Sequence, residues 1–314
     1  MASRARKLLH SVRMRFPPST RVLEALLHDT NSRIAYLERR LAAVQGLTAR
    51  VYEHQHGWAE QLEQIRSSAG YEEAFSGEPL VSVRIPTYDR PGKLFDRALA
   101  SVRRQSYEHW EAIVIGDGCE PGVVREVERR LEDVGDPRIR FWNLPHRTQY
   151  PDEKQARWQV TGVRPSNVAM ERSQGAWIAP IDDDDEWSDD HLELLVGAAQ
   201  RERAELAYGR MHVVLEGDGE VPERRTEFGA WPPQSKNFGF QAAVYHAHLK
   251  DFRLDMNAWL ADEVWDWNLA RRMLDAGVRF TFLDHPVGTY YVPADYIHRK
   301  GWQEAAERLG GGED

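Results

Sequence analysis

The chain has one cysteine, Cys119, in 314 residues. No intramolecular disulfide can form, and a reducing cytoplasmic location is the expectation. Basic charge is also in short supply. The 41 Lys and Arg stand against 50 Asp and Glu, a formal net charge of -9, which argues against nucleic-acid binding because that needs a basic footprint. No apolar run reaches the roughly 18 residues of a membrane helix, and no signal-peptide core is visible. There is no G-x-G-x-x-G after the first apolar strand pattern and no Walker lysine motif, so dinucleotide and P-loop sites find no support. No internal repeat occurs. What is present suffices for a core: 41% hydrophobic residues, 29% charged, and eleven tryptophans.

Charge and apolar residues are unevenly placed. Arg4, Arg6, Lys7, Arg13 and Arg15 precede the first acidic residue and interleave with Leu8, Leu9, Val12, Met14 and Phe16. Residues 1–22 therefore read as a solvated terminus, or as a short amphipathic helix whose residues 4–16 rest peripherally on the inner membrane face. A 3-4 apolar spacing then runs from Leu23 through Leu27, Ile34, Leu37, Leu41, Val44, Val51, Trp58 and Leu62 to Ile65. Some six heptads predict a coiled-coil helix over 23–66 and a homo-oligomer built on residues 23–65. Thr30, Thr48 and Gln55 in the seam, with Gly46 and Gly57, weaken that helix. The alternative is a helix folded back on the main domain. Residues 67–79, small and ending in Pro79, read as a linker, and 299–314 as a tail.

From Leu80 onward the pattern changes. Strands are expected at 81–85, 110–115, 139–142 and 177–181, separated by helices near 94–102, 121–131 and 165–172. That order predicts an α/β fold over 80–298, an open, mostly parallel, Rossmann-like sheet flanked by helices. Residues 143–163 read as a long polar loop carrying His146 and Arg147, candidates for ligand contact. Ser188 should cap a helix, 206–215 and 240–245 read as strands, 216–219 as a hairpin turn, 262–276 as a helix, and 278–283 and 287–292 as two further strands.

Three polar clusters fall where these strands end: Thr87-Tyr88-Asp89-Arg90, Gly116-Asp117-Gly118, and Asp182 to Asp185. Ligands of open α/β sheets bind beyond the carboxyl ends of the strands, so the three can line one crevice. Four successive aspartates repel one another, and hard cations such as Mg²⁺ or Mn²⁺ relieve that repulsion through oxygen ligands. The plainer reading of the run is a solvated acidic turn before a helix. Cys119 reads as a packed small residue, with no partner base to activate it.

Several segments taken together resemble the family 2 glycosyltransferases of the GT-A fold: Val81-Ser82-Val83-Arg84-Ile85-Pro86-Thr87-Tyr88-Asp89-Arg90, Ser101-Val102 with Gln105-Ser106, Ile115-Gly116-Asp117-Gly118, Asn167 in a helix ending at Gly175, and Ile181 to Trp187. The resemblance spans about residues 79–295. It implies a nucleotide-diphosphate-sugar donor, usually a UDP-sugar, a Mn²⁺ or Mg²⁺ ion, and inverting transfer to an acceptor hydroxyl. Carried over, Pro86, Thr87, Tyr88 and Arg90 would frame base and ribose, and Asp117 would bind the uracil ring. Asp182 and Asp183 would lie on the ribose and metal side, and Asp184 would be the chief metal ligand with Asp182 beside it. Arg164 and Asn167 would contact the donor. Ser166 stands directly before Asn167 where relatives often carry Arg.

The general base of such a transfer would come from the start of a late helix, Ala261-Asp262-Glu263-Val264-Trp265-Asp266-Trp267. Val264 falls where relatives carry an acid. Glu263 is the first candidate, Asp262 the second and Asp266 a distant third. His298 is a candidate late metal ligand or a surface histidine. Two other functions share these features: a sugar-phosphate nucleotidyltransferase, and a non-catalytic sugar-nucleotide or glycan-binding module. The acceptor is not specified by any motif.

Overall fold

A computed structural model describes residues 57–216 and 224–293, with scattered helical positions between 27 and 44. The basic segment, most of the heptad span, His298 and the tail lie outside the described residues. Contacts divide the chain into residues 1–52 with 260–262, and residues 53–259 with 263–314. In the first unit the described Leu27, Ile34, Leu37, Leu41 and Val44 are exposed. The second unit carries the sheet.

Among the described residues nine strands form one sheet: β1 (Val81–Thr87), β2 (Trp110–Gly116), β3 (Ile139–Asn143), β4 (Trp177–Pro180), β5 (Glu186–Trp187), β6 (Leu206–Leu215), β7 (Arg224–Phe228), β8 (Ala243–His246) and β9 (Phe280–Val292). Their order is β3-β2-β1-β4-β8-β6-β9-β5, with β7 paired to β6. The first four strands are mutually parallel, whereas β8 joins β4 and β6 antiparallel and β6 pairs with β9 in parallel again. The parallel expectation therefore holds for the half that carries the strand-end clusters, and the sheet as a whole is mixed.

The helices are α1 (Trp58–Arg66), α2 (residues 91–103, interrupted by a π-turn at Leu94–Ala98), α3 (Pro121–Val134), α4 (Lys154–Val160), α5 (Val163–Arg172), α6 (His191–Glu202) and α7 (Trp265–Ala276). Strand β1 is buried on both faces, as a parallel strand covered on both sides must be. Val81, Val83 and Ile85 join Leu94, Leu99, Val102, Leu192 and Leu195 in one apolar layer. On the other side Ile178, Tyr245, Phe240, Phe252, Leu269 and Met273 form a second layer.

Five expectations change. Ser188 does not cap α6, whose N-cap position is Asp190. The end of the heptad span is not free for a partner, because Leu62 and Ile65 are 1% and 6% exposed within this domain, and Trp58 stacks on Phe252 at 4.9 Å. The supposed linker holds a buried 3₁₀ turn, Tyr71–Phe75, with Tyr71 and Ala74 in the core. The polar stretch after β3 contains α4, capped by Glu153, whose carboxylate accepts from the Gln155 and Ala156 amides. The last two strands are one, β9, whose register against β6 shifts near Arg210. Among the described residues no helix is long and apolar enough to cross a membrane.

Candidate functional site

Strand register brings the polar clusters to one edge. Thr87 is paired with Gly116 and Gly116 with Asn143. The Asp117 amide donates to the Thr87 carbonyl at 2.8 Å, and the Ile181 amide to the Arg84 carbonyl at 3.1 Å. Chain exits after β1, β2 and β4 therefore lie side by side at the carboxyl edge.

The acidic run divides into distinct environments. Asp183 is 2% exposed; it accepts from the Thr87 hydroxyl at 2.7 Å and pairs with Arg90 at 2.7 Å. Asp184 also pairs with Arg90, and its carbonyl accepts from Arg97 at 3.1 Å. Asp185 is fully buried and accepts from the Tyr291 amide at 3.3 Å, while its Oδ2 has no partner. Burial, with repulsion from Asp184 and Asp182, pushes the Asp185 carboxyl well above the usual range. Burial pushes Asp183 to about 7 against the pull of Arg90. Asp182 is raised by burial and then by Asp184, with Arg84 and Arg90 opposing. The cluster is short of positive charge, and the Arg90 guanidinium spans two of its carboxylates.

A hard cation suits this set of oxygens. Mg²⁺ is commonly held by one or two carboxylates with phosphate oxygens completing its shell. Asp184 and Asp182 are the side chains that would hold it. Among the described residues no three Asp, Glu, His or Cys side chains converge into a ready-made cage, so a ligand would have to supply further oxygens.

Asp117 is engaged by its own loop. Its carboxylate accepts from the Thr148 amide at 3.1 Å and from the Thr148 hydroxyl, accepts from Tyr150 Oη at 2.6 Å, and pairs with Arg147 at 3.3 Å. Gly118, at φ 67, makes this crossing possible, since a Cβ there would lie 2.1 Å from the Arg147 amide. Beside it a cavity of about 720 Å³ is lined by Tyr88, Cys119, Val124, Arg125, His146 and Arg147. Cys119 packs as a small buried residue, its thiol pushed up to about 11 by burial.

Other expected residues are placed differently. Pro86, next to last in β1, pairs with Ile115 and is half-buried. Arg164 is exposed on α5. Both amide atoms of Asn167 bond the Leu254 main chain, at 2.9 and 3.0 Å, so it clips α5 to the segment before α7. Glu263 accepts from Asn268 Nδ2 and from Arg271 Nε and Nη2, each at 2.8 Å. Asp262 is exposed, with a left-handed backbone at φ 56. Asp266, in the first turn of α7, accepts from the Trp267 amide at 2.6 Å.

Arg84 escaped the sequence analysis. It lies in the middle of β1, wholly buried, and donates from Nη1 to the Ser166 hydroxyl at 2.7 Å. Its Nε and Nη2 have no partner. A charged residue inside an otherwise apolar strand was the available signal.

An open α/β sheet with an acidic, arginine-bearing carboxyl edge is the GT-A arrangement. The chain belongs to the family described as Glycosyl transferase family 2, which it matches over residues 82–151 and 164–259, more than half of its length. It is 32% identical over 123 residues to WcaA of Escherichia coli (strain K12), named for colanic acid biosynthesis, the match covering 39% of each chain. It is 24% identical over 135 residues to WfgD of Escherichia coli, a UDP-Glc:alpha-D-GlcNAc-diphosphoundecaprenol beta-1,3-glucosyltransferase, covering 43% of this chain and 47% of that one. The chain thus spans less than half the length of these curated relatives. The mannosyltransferase PcManGT of Pyrobaculum calidifontis, solved with GDP-Man and Mn²⁺, superposes at a TM-score of 0.49 with 14% identity over 87% of this chain and 77% of that one.

Proposed function

We propose that this chain is an inverting glycosyltransferase that moves a sugar from a nucleotide-diphosphate sugar, a UDP-sugar in the first instance, to an acceptor hydroxyl. The observation that carries this reading is the meeting of Thr87, Arg90, Asp117 and Asp182–Asp184 at one sheet edge. Tyr88 offers a ring face to the base, and Asp117 would accept the base's N–H in place of one of its present donors from Thr148, Tyr150 and Arg147. Pro86, Thr87 and Arg90 frame the ribose side, and Arg164 and Asn167 lie further along the donor. Asp183 fixes Thr87 and Arg90 in place. Asp184 and Asp182 hold Mn²⁺ or Mg²⁺, which when bound stabilises charge on the departing diphosphate. The UDP donor of the relative WfgD is consistent with that base.

The acceptor lies outside what these residues define. The exposed heptad positions Ile34 and Leu41 favour self-association, and Ile34→Lys with Leu41→Lys should then lower the sedimentation mass to that of one chain; an unchanged mass would remove the coiled coil from the reading. Peripheral contact of residues 4–16 with the inner membrane face remains part of the proposal, as does the cytoplasmic location.

Calorimetric titration of UDP with and without Mn²⁺, on the native chain and on Asp184→Asn, tests the donor site. Binding that needs Mn²⁺ and is lost in the variant is the expected result. Equal UDP affinity in both proteins, with or without metal, would sink the metal-dependent assignment.

A further inference from the structure

One large apolar side chain is held outside the sheet-bearing unit. Among the described residues of that unit Trp231 alone of the large apolar side chains is exposed, at 56%. The chain on either side of it is pinned down. Before it, the Ala230 carbonyl accepts from Tyr208 Oη at 2.6 Å, and Tyr208 is wholly buried. Gly229, at φ 113, crosses β6 so closely that a Cβ there would lie 2.8 Å from the Arg210 Cα. After it, Pro233 is buried. The Gln234 amide donates to Asn237 Oδ1 at 2.6 Å and the Asn237 amide to the Gln234 carbonyl at 3.1 Å, which closes a turn. Phe238 then packs edge-on against Tyr208 and against Phe240, each at 5.1 Å. A single exposed apolar residue on a loose loop is ordinary. Here the loop is fixed at both ends, and its largest side chain is the one kept in water, which forgoes the burial an indole normally gains.

The neighbours of this loop are polar. Tyr208, Arg210 and His212 share one face of β6 by the two-residue period of a strand. Arg210 pairs with Glu227 at 3.5 Å and with Asp284 at 2.5 Å, and His212 Nδ1 meets Glu227 at 3.2 Å. Arg210 is half-buried and the other three are exposed. These groups are planar, mixed in sign, and present hydrogen-bonding edges. An aromatic face beside such edges matches a pyranose ring: the C–H face of the sugar lies on the indole, and its hydroxyls bond the planar groups at the rim. A protein interface would instead need an extended apolar centre, and no second exposed large apolar side chain accompanies Trp231 among the described residues of the unit.

Strand register relates this cluster to the acidic run. Glu227 pairs with His212, His212 with Thr289, and Thr289 with Glu186, the residue after Asp185. His212 and Glu186 are therefore two strand spacings apart, roughly 10 Å. An oligosaccharide can span that interval.

We propose that Trp231, with Arg210, His212, Glu227 and Asp284 beside it, is a glycan subsite that holds a pyranose ring of the acceptor away from the point of transfer. Its role as an acceptor subsite rests on the glycosyltransferase reading above; the stacking itself is measured without a donor. A remote ring held equally in ground and transition states lowers KM for a long acceptor and leaves kcat alone.

Saturation-transfer NMR on the full chain tests this, with tetrasaccharides of β-glucose, β-N-acetylglucosamine, α-mannose and β-galactose as probes. At least one is expected to bind. Trp231→Ala should weaken that probe about tenfold or more, and Trp231→Phe, which keeps a ring face, by no more than about threefold. His212→Ala should weaken it about threefold, the scale of one neutral hydrogen bond. UDP affinity with Mn²⁺ should stay within about twofold in all three variants, since distant sites act independently. Equal affinity of the probe for the native chain and Trp231→Ala would overturn the subsite. So would a native chain that binds UDP and none of the four probes. Vesicles of phosphatidylglycerol that retain the native chain but release Trp231→Ala would assign the indole to a lipid surface and overturn it as well. A native chain that binds a tetrasaccharide through Trp231 yet neither UDP nor GDP would leave the glycan subsite standing and overturn the donor reading instead.

Discussion

The guanidinium of Arg147 lies over the ring of Tyr88, 3.3 Å from guanidinium carbon to ring centre. The same side chain reaches Asp117 at 3.3 Å. One arginine from the loop after β3 thus ties together the residues after β1 and β2 that are proposed to receive the base. A cation over a ring contributes about 0.5–2 kcal/mol, more as it is desolvated. Arg147→Ala is expected to weaken UDP binding by about five- to tenfold, read by calorimetry with Mn²⁺ present. Tighter binding in the variant would show instead that Arg147 covers the base site and must leave it.

Gly118 sets up that arrangement through backbone, which cannot yield as a flexible side chain does. A Cβ at 118 would lie 2.1 Å from the Arg147 amide nitrogen and 2.3 Å from the His146 carbonyl carbon, at a φ of +67. Gly118→Ala should cost about 2 kcal/mol or more in urea unfolding and abolish UDP binding at concentrations that saturate the native chain. Gly122 in α3 meets nothing within 4 Å, so Gly122→Ala should be neutral or slightly stabilising. Equal behaviour of the two variants would contradict the close crossing.

At the opposite end of the sheet His246 is 1% exposed and stacks on Tyr71 at 4.6 Å. It bonds the Tyr71 carbonyl at 2.9 Å through Nε2 and accepts the His248 amide at 3.1 Å through Nδ1. Burial lowers its pKa from 6.5 to about 4, with the Tyr71 carbonyl opposing. A depressed base binds fewer protons folded than unfolded between those values. Its contribution is therefore complete above pH 6.5 and lost as pH falls toward 4. The slope is at most about 1.4 kcal/mol per pH unit. His246→Gln should flatten the decline in unfolding free energy over that window; an unchanged slope would mean that the ring is already charged in the fold.

Sequence pattern located most of what local chemistry determines. The four parallel strands were readable because each is a short apolar run closed by turn residues, and the strand-end clusters follow from them. The heptad was misleading at its end, because Leu62 and Ile65 satisfy a coiled-coil period and a domain-packing period equally well. Tyr71 to Phe75 looked like linker because the contacts that bury it come from residues far along the chain, among them His246 and Trp177. The three acids before α7 are indistinguishable in sequence. Only the fold shows that Arg271 takes Glu263 and that Arg84, from a strand nearly two hundred positions earlier, lies beside Trp265.

Arg66 and Glu205 extend the same lesson to stability. Arg66 donates to Glu205 from Nε at 2.7 Å and from Nη2 at 3.0 Å. Glu205 also accepts from Tyr71 Oη at 2.6 Å and from the Arg279 amide at 2.8 Å. Burial pulls the Glu205 carboxyl upward, but these donors outweigh it and leave its pKa below the ordinary value of 4.5. Its stabilisation is therefore present above that value and lost as pH falls below it. The Glu205 side chain is 0% exposed and that of Arg66 24%, so breaking the pair from the buried side costs more than a surface bridge does. Glu205→Gln should lower stability by about 2–4 kcal/mol at pH 7, and Arg279→Met, at a 47% exposed partner, by less than about 1 kcal/mol. Hydrogen exchange of the α1 amides should speed up in Glu205→Gln, since α1 is joined to the sheet through this pair. Unchanged exchange over Trp58–Arg66 would show that the apolar contacts of Leu62 and Ile65 hold α1 without it.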